Sequence, residues 1–157
     1  MNIVDIDPGL DGAIALLRDG ELCYVKDMPV RRVGPPDARG RVLRSVDPMK
    51  TYHVIQNMNA DRIIIELPIY LGGNAAQSVG KTGEGWGIVY GLCSILAPTI
   101  TVRAATWKVE MDVSALKSTS LALARRLWPD KADEFFSRKM DHGRAEAALI
   151  ARYLNDT

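Results

Sequence analysis

The sequence predicts a single α/β domain over residues 1–157. Its opening stretch reads as three short strands joined by tight turns, an apolar β-branched run recurs at Ile63-Ile64-Ile65, and helical patterns lie between and after these strands. The first strand, Ile3-Val4-Asp5-Ile6-Asp7, is stopped by Pro8-Gly9, since proline offers no amide to a ladder and glycine accepts the turn. Gly12 to Leu17 returns as a second strand, and after the polar turn at Asp19-Gly20 the run Leu22 to Met28 forms a third, giving an antiparallel meander. Val30 to Arg44 carries Arg31, Arg32, Arg39, Arg41 and Arg44 against Asp37 alone. With Pro35-Pro36 and two glycines it reads as a basic loop, either solvated or in contact with phosphates.

Asp47-Pro48 suits the N-cap and first turn of a helix running to about Asn59. Ile63 to Pro68 then reads as a central strand buried on both faces, with Glu66 near its end. The glycine-dense stretch from Leu71 to Gly91 reads as a loop leading into an apolar helix over Gly87 to Leu96. Pro98 to Val102 gives another strand, and Ala104 to Lys108 follows it. Ser114 is placed to cap a helix reaching Arg126, with Lys117 in its first turn, and a short helix is expected between Asp130 and Phe136. The last helix, Asp141 to Leu154, has a small-residue face suited to lying close on a sheet.

Twenty basic residues nearly cancel nineteen acidic ones, for a net charge of +1, so a polyanion would have to be met by a local basic patch. Cys23 and Cys93 have no metal-ligand spacing and are expected to be reduced core thiols. No stretch approaches a membrane span and no signal core opens the chain, so a cytoplasmic protein is expected. Gly80-Lys81-Thr82 lacks the earlier glycine of a Walker loop, which argues against a nucleotide cofactor.

Two carboxylates stand out before any comparison is made. Asp7 sits at a strand end, where a side chain is held rigidly yet open to a ligand, although a turn-capping role fits the same position. Glu66 interrupts a buried apolar run, and burying a carboxylate is costly unless it is paired or used.

Asp-Pro-Gly after the first strand, an apolar strand ending in Glu66, and the C-terminal run Glu146-Ala147-Ala148-Leu149-Ile150-Ala151 together resemble RuvC-type Holliday junction resolvases of the RNase H-like superfamily, especially the phage-borne branch. The resemblance extends through Gln77 to Gly83, Gly87 to Gly91, the Trp107-Lys108 pair and Lys117, and its weight lies in their order and spacing. It implies an RNase H-like fold, a five-stranded mixed sheet whose first three strands are antiparallel, flanked by helices. It also implies a magnesium-dependent crossover junction endodeoxyribonuclease with two ions per site, manganese substituting, that acts as a homodimer on four-way junctions and other branched DNA. Hard cations of this kind take oxygen ligands, and a pair of them can activate water and stabilise a leaving 3′ oxygen.

The same resemblance makes Asp7, Glu66, Asp141 and Glu146 the catalytic and metal-binding residues, with His142 the rival to Asp141. The position one turn before Glu146, where relatives carry a ligand, is Gly143. His142, four residues before Glu146, shares its helical face, whereas Asp141 suits magnesium better and is free of the helical wheel if it is the N-cap. Lys81, Lys108, Lys117 and Arg144 are expected to contact DNA, and Tyr70 is either a junction wedge or an ordinary tyrosine. The helix from Gly83 to Leu96 is expected to form the dimer interface, with burial inside the monomer as the alternative. A non-catalytic binder of branched DNA with this fold is the alternative function.

Overall fold

Strand β1 (Asn2–Ile6) runs through the middle of a five-stranded sheet ordered β3-β2-β1-β6-β7, where β2 is Ala13–Arg18, β3 Glu21–Asp27, β6 Arg62–Glu66 and β7 Thr99–Val102. The computed structural model describes residues 1–68, 76–114 and 116–157. Strands β1, β2 and β3 are mutually antiparallel, while β6 lies parallel to β1 and β7 parallel to β6, so the sheet is mixed as expected. Asp19 and Gly20 both take positive φ, 51° and 85°, the left-handed geometry that lets a two-residue turn join β2 to β3.

The alternation of side chains divides the core in two. Ile3, Ala13, Ala15, Leu17 and Ile64 face one way, against α6 (His142–Asp156) and α4 (Lys117–Leu127). Val4, Ile6, Ile14, Ile63 and Ile65 face the other, toward α1 (Pro48–Met58) and α2 (Ala76–Leu96). Both faces of Ile63-Ile64-Ile65 are thereby buried, each side chain contributing roughly 1.5–3 kcal/mol. Helix α6 turns Ala145, Ala148 and Ala151 inward, all fully buried, so it lies close over β1 and β2.

Asp47 caps α1 by accepting from the Lys50 amide at 3.0 Å, Pro48 opens it, and Asn59 ends it at φ 48°, as the sequence suggests. Four expectations are revised. Helix α2 starts at Ala76 and runs straight through Gly80, Gly83, Gly85 and Gly87, because packing outweighs a glycine's intrinsic cost of about 1 kcal/mol in a helix. Ser114 accepts from the Leu116 amide at 3.2 Å but lies ahead of α4, which begins at Lys117. The basic segment is a two-stranded antiparallel hairpin of β4 (Val30–Val33) and β5 (Leu43–Val46). Cys93 is buried, and its thiol is pushed up to about 12 chiefly by loss of water, whereas Cys23 is exposed on β3 and is not a core thiol. Among the described residues no helix is long and apolar enough to cross a membrane.

Candidate active site

The parallel register pairs Ile6 with Ile65, so the next residues, Asp7 and Glu66, leave adjacent strands at the same end. The turn after Asp7 is closed by its own backbone. Asp7 N–H donates to Ala13 O at 2.9 Å, Gly12 N–H to Gly9 O at 2.9 Å, and Gly9 N–H to Asp7 Oδ1 at 3.1 Å. Gly12 is required here, because a Cβ on it would lie 2.8 Å from Asp7 Cγ and closer still to the Asp7 carbonyl.

Helix α6 crosses this strand end and brings in Glu146, whose Oε1 accepts from Lys108 Nζ at 2.9 Å and from Ser120 Oγ at 3.1 Å. Lys108 lies on α3 (Ala104–Glu110), 5.1 Å above the Trp107 ring, and Trp107 Nε1 donates to Glu66 Oε2 at 2.6 Å. Two neighbours on one short helix therefore hold two acids from different elements.

Removal from water is the largest influence holding both Asp7 and Glu66 above the usual carboxylate range. The Gly9 amide opposes it at Asp7 and the Trp107 indole at Glu66, while the Glu146 charge adds to it at both. Asp5, fully buried under α6 with no hydrogen-bond partner for either side-chain oxygen among the described residues, is raised well above it by desolvation and then by Asp7 and Glu66. Acids that repel one another at a strand end form a donor set suited to a hard cation. As placed, no three His, Cys, Asp or Glu side chains among the described residues stand close enough to hold an ion. Glu66 and Glu146 are turned instead to Trp107, Lys108 and Ser120. Beside the acids lies a cavity of about 360 Å³ lined by Asp7, Leu10, Glu66, Ser78, Lys81 and Thr82.

The structure sorts the remaining expected residues. Asp141 occupies the N-cap position of α6, but it is 1% exposed and both of its oxygens accept from Arg138, at 2.7 Å from the amide and 2.8 Å from Nε. His142 lies beside the acid group: it is among the neighbours that oppose the rise at Asp7, and its Nε2 stands 3.3 Å from Lys117 Nζ. Gly143 explains why no ligand stands one turn before Glu146, since a Cβ there would come within 2.7 Å of the Asp11 carbonyl. Lys81 is exposed at the cavity, Lys108 is paired with Glu146, and Arg144 is bidentate to Asp27 at 2.6 and 2.9 Å. Tyr70 lies outside the described residues. Sequence reasoning missed the indole of Trp107 and the hydroxyl of Ser120 as partners of the acids. Only the position of Trp107 beside Lys108 hinted at either.

No protein-family model and no curated protein matches this sequence. Solved structures do match in fold. RuvC of T. thermophilus in complex with a Holliday junction substrate superposes with a TM-score of 0.65 at 13% identity, over 99% of this chain and 96% of that one. A second Thermus thermophilus RuvC structure gives 0.55 at 16% identity over the same shares. The yeast mitochondrial Holliday junction resolvase Ydc2 gives 0.52 at 12% identity over 96% and 76%. The chain has the RuvC-like, RNase H-like fold that its sequence resemblance implies.

Proposed function

We propose that this protein is a metal-dependent, structure-selective endonuclease that nicks four-way junctions and other branched DNA. The observation that carries the reading is that Asp7 just after β1, Glu66 at the end of β6 and Glu146 on α6 converge on one strand end, near enough for their charges to act on one another, with Asp7 and Glu66 lining an open cavity. Scaffold acids rarely converge in this way unless they hold a cation or move a proton. A fold shared with resolvases that act on Holliday junctions supports the choice of substrate.

Asp7, Glu66, Glu146 and His142 are the residues that would hold Mg²⁺ or Mn²⁺, with His142 in place of Asp141, whose oxygens are taken up by Arg138. Bound there, two such ions would activate water and stabilise the leaving 3′ oxygen. The chain's own groups do the rest. The Trp107 indole and the Ser120 hydroxyl orient Glu66 and Glu146. Lys108 balances the charge of Glu146 and would bring a cation within reach of a phosphate in the site. Lys81 on the cavity wall and Lys117 beside His142 supply further positive charge along the DNA approach.

Resolution of a four-way junction needs two symmetric nicks, and one chain carries one set of these acids, so the working form is a homodimer. Helix α2 supplies a face for it. Val89 and Cys93 turn inward, while a Cβ on Gly80, Gly87 or Gly91 would meet none of the described residues within 4 Å and Ile95 is 81% exposed. Cleavage of labelled four-way, forked and linear duplex DNA with Mg²⁺ tests the reading. Nicking of the branched substrates but not of the linear duplex is expected, and equal cutting of all three would remove structure selectivity. Binding without cutting in either metal would favour a non-catalytic binder.

A further inference from the structure

The hairpin β4–β5 has no role in the chemistry above. Its charges are arranged in a way that a solvated loop does not need. Arg32 stands directly across from Arg44 in the antiparallel register, a like-charge pair that weakens a ladder. Next along the ladder, Val33 and Leu43 pair while both remain exposed, at 39% and 49%. An isolated two-stranded hairpin is marginal in water, yet this one is well built at both ends. At the tip, Asp37 accepts from the amides of Arg39 and Arg41 at 2.8 and 2.9 Å and pairs with the Arg41 guanidinium.

The root of the hairpin is fixed beside the acid site. Arg44 pairs with Asp11 in the turn that follows Asp7, at 3.1 Å. Ser45 donates to Glu84 of α2 at 2.9 Å, and Val46 packs against Gly85, which itself borders the carbonyl of Pro8. Pro8 and Gly85 both line the cavity next to Asp7 and Glu66. Arg41 and Arg44 thus hold the hairpin in shape and place, while Arg31, Arg32 and Arg39 are exposed and have no acidic partner among the described residues.

We infer that this hairpin is a phosphate-gripping arm, in which Arg31, Arg32 and Arg39 hold the backbone of a DNA duplex leading away from the cleavage site. The partner is duplex backbone, because exposed guanidinia with no neighbouring groups to orient them on a base edge match phosphate charge whatever the sequence. The inference rests on the nucleic-acid reading of the site but extends it to a separate surface.

The test is junction binding by the full chain, measured by fluorescence anisotropy across a salt series in chelator, for wild type and for Arg31→Ala/Arg32→Ala/Arg39→Ala. Each lost phosphate contact lowers the slope of log affinity against log salt by about 0.9, so the triple variant should lose about 2.7. Its loss of affinity between about 50 and about 200 mM salt should then be about 40-fold smaller than that of wild type. The corresponding triple lysine variant should keep the wild-type slope, and the melting temperature of neither variant should fall. An alanine variant with the wild-type slope overturns the arm and leaves the nuclease reading intact. Wild type that binds with the hairpin-dependent slope but cuts nothing in Mg²⁺ or Mn²⁺ overturns the nuclease reading and leaves the arm. Wild type that binds no DNA overturns both.

Discussion

Asp7, Glu66 and Glu146 have different neighbours, and their variants should separate chemistry from stability. Asp7→Asn, Glu66→Gln and Glu146→Gln each remove a proposed ligand while keeping the side chain's shape. Nicking should fall by at least about 100-fold, as losses of active-site groups commonly do, with junction affinity nearly unchanged. Near-normal cleavage in any one of the three would remove that residue from the site. Asp141 and His142 should part company. His142→Ala should lose cutting with little change in melting temperature. Asp141→Asn should instead lower the melting temperature, because it weakens the bonds from Arg138 that fix the start of α6, a loss of about 1–3 kcal/mol. A strong loss of activity in Asp141→Asn without a thermal shift would restore Asp141 as the ligand.

At the scale of elements, the site depends on how closely the turn after β1 meets α6. Gly12 lies on Asp7 and Gly143 lies on the Asp11 carbonyl, so two backbones touch where side chains would otherwise stand. Gly143→Ala should push α6 outward and lower both melting temperature and cutting, whereas Gly87→Ala, whose Cβ would meet nothing within 4 Å, should leave the monomer's stability intact or improved. This contrast also marks what the sequence could tell. Strand β6 and helix α1 were legible because a β-branched run and an Asp-Pro cap act locally. Helix α2 was not fully legible, since its glycines look like a loop until the packing of Val89 and Cys93 is known. Asp7 and Glu66 could be read from their places at strand ends, whereas Glu146, inside α6, could be read only through the family resemblance. The engagement of Asp141 by Arg138 could not, because a short loop's fold and not a motif decides which acid turns toward the site.

For the whole molecule, the acids set a pH dependence of stability. Asp5 and Asp7 are raised from an ordinary 3.8 and Glu66 from 4.5, so the folded state holds their protons to higher pH than the unfolded state does. Their contribution is fully present below those ordinary values and is lost as pH rises through the raised ones. Asp27 works in the opposite sense, since the hydrogen bond from Arg144 lowers it and its contribution is lost on acidification through that lowered value. In chelator, the melting temperature should therefore fall from mildly acidic to alkaline buffer, Asp5→Asn should flatten that fall, and Mg²⁺ should raise the alkaline value most. A metal-independent, flat profile would contradict the cation site. Light scattering of the protein alone and with junction DNA should give a dimer mass, and a bulky Gly91→Trp change on the open face of α2 should reduce it to a monomer.

The most direct measurement uses a four-way junction labelled in turn on each strand, incubated with purified protein in Mg²⁺, in chelator, and in Mg²⁺ with Glu146→Gln. Paired nicks in two strands of like polarity are expected in the first case and none in the other two. Cutting that survives the chelator, or that persists in Glu146→Gln at the wild-type rate, would contradict a metal-dependent resolvase built on Asp7, Glu66 and Glu146.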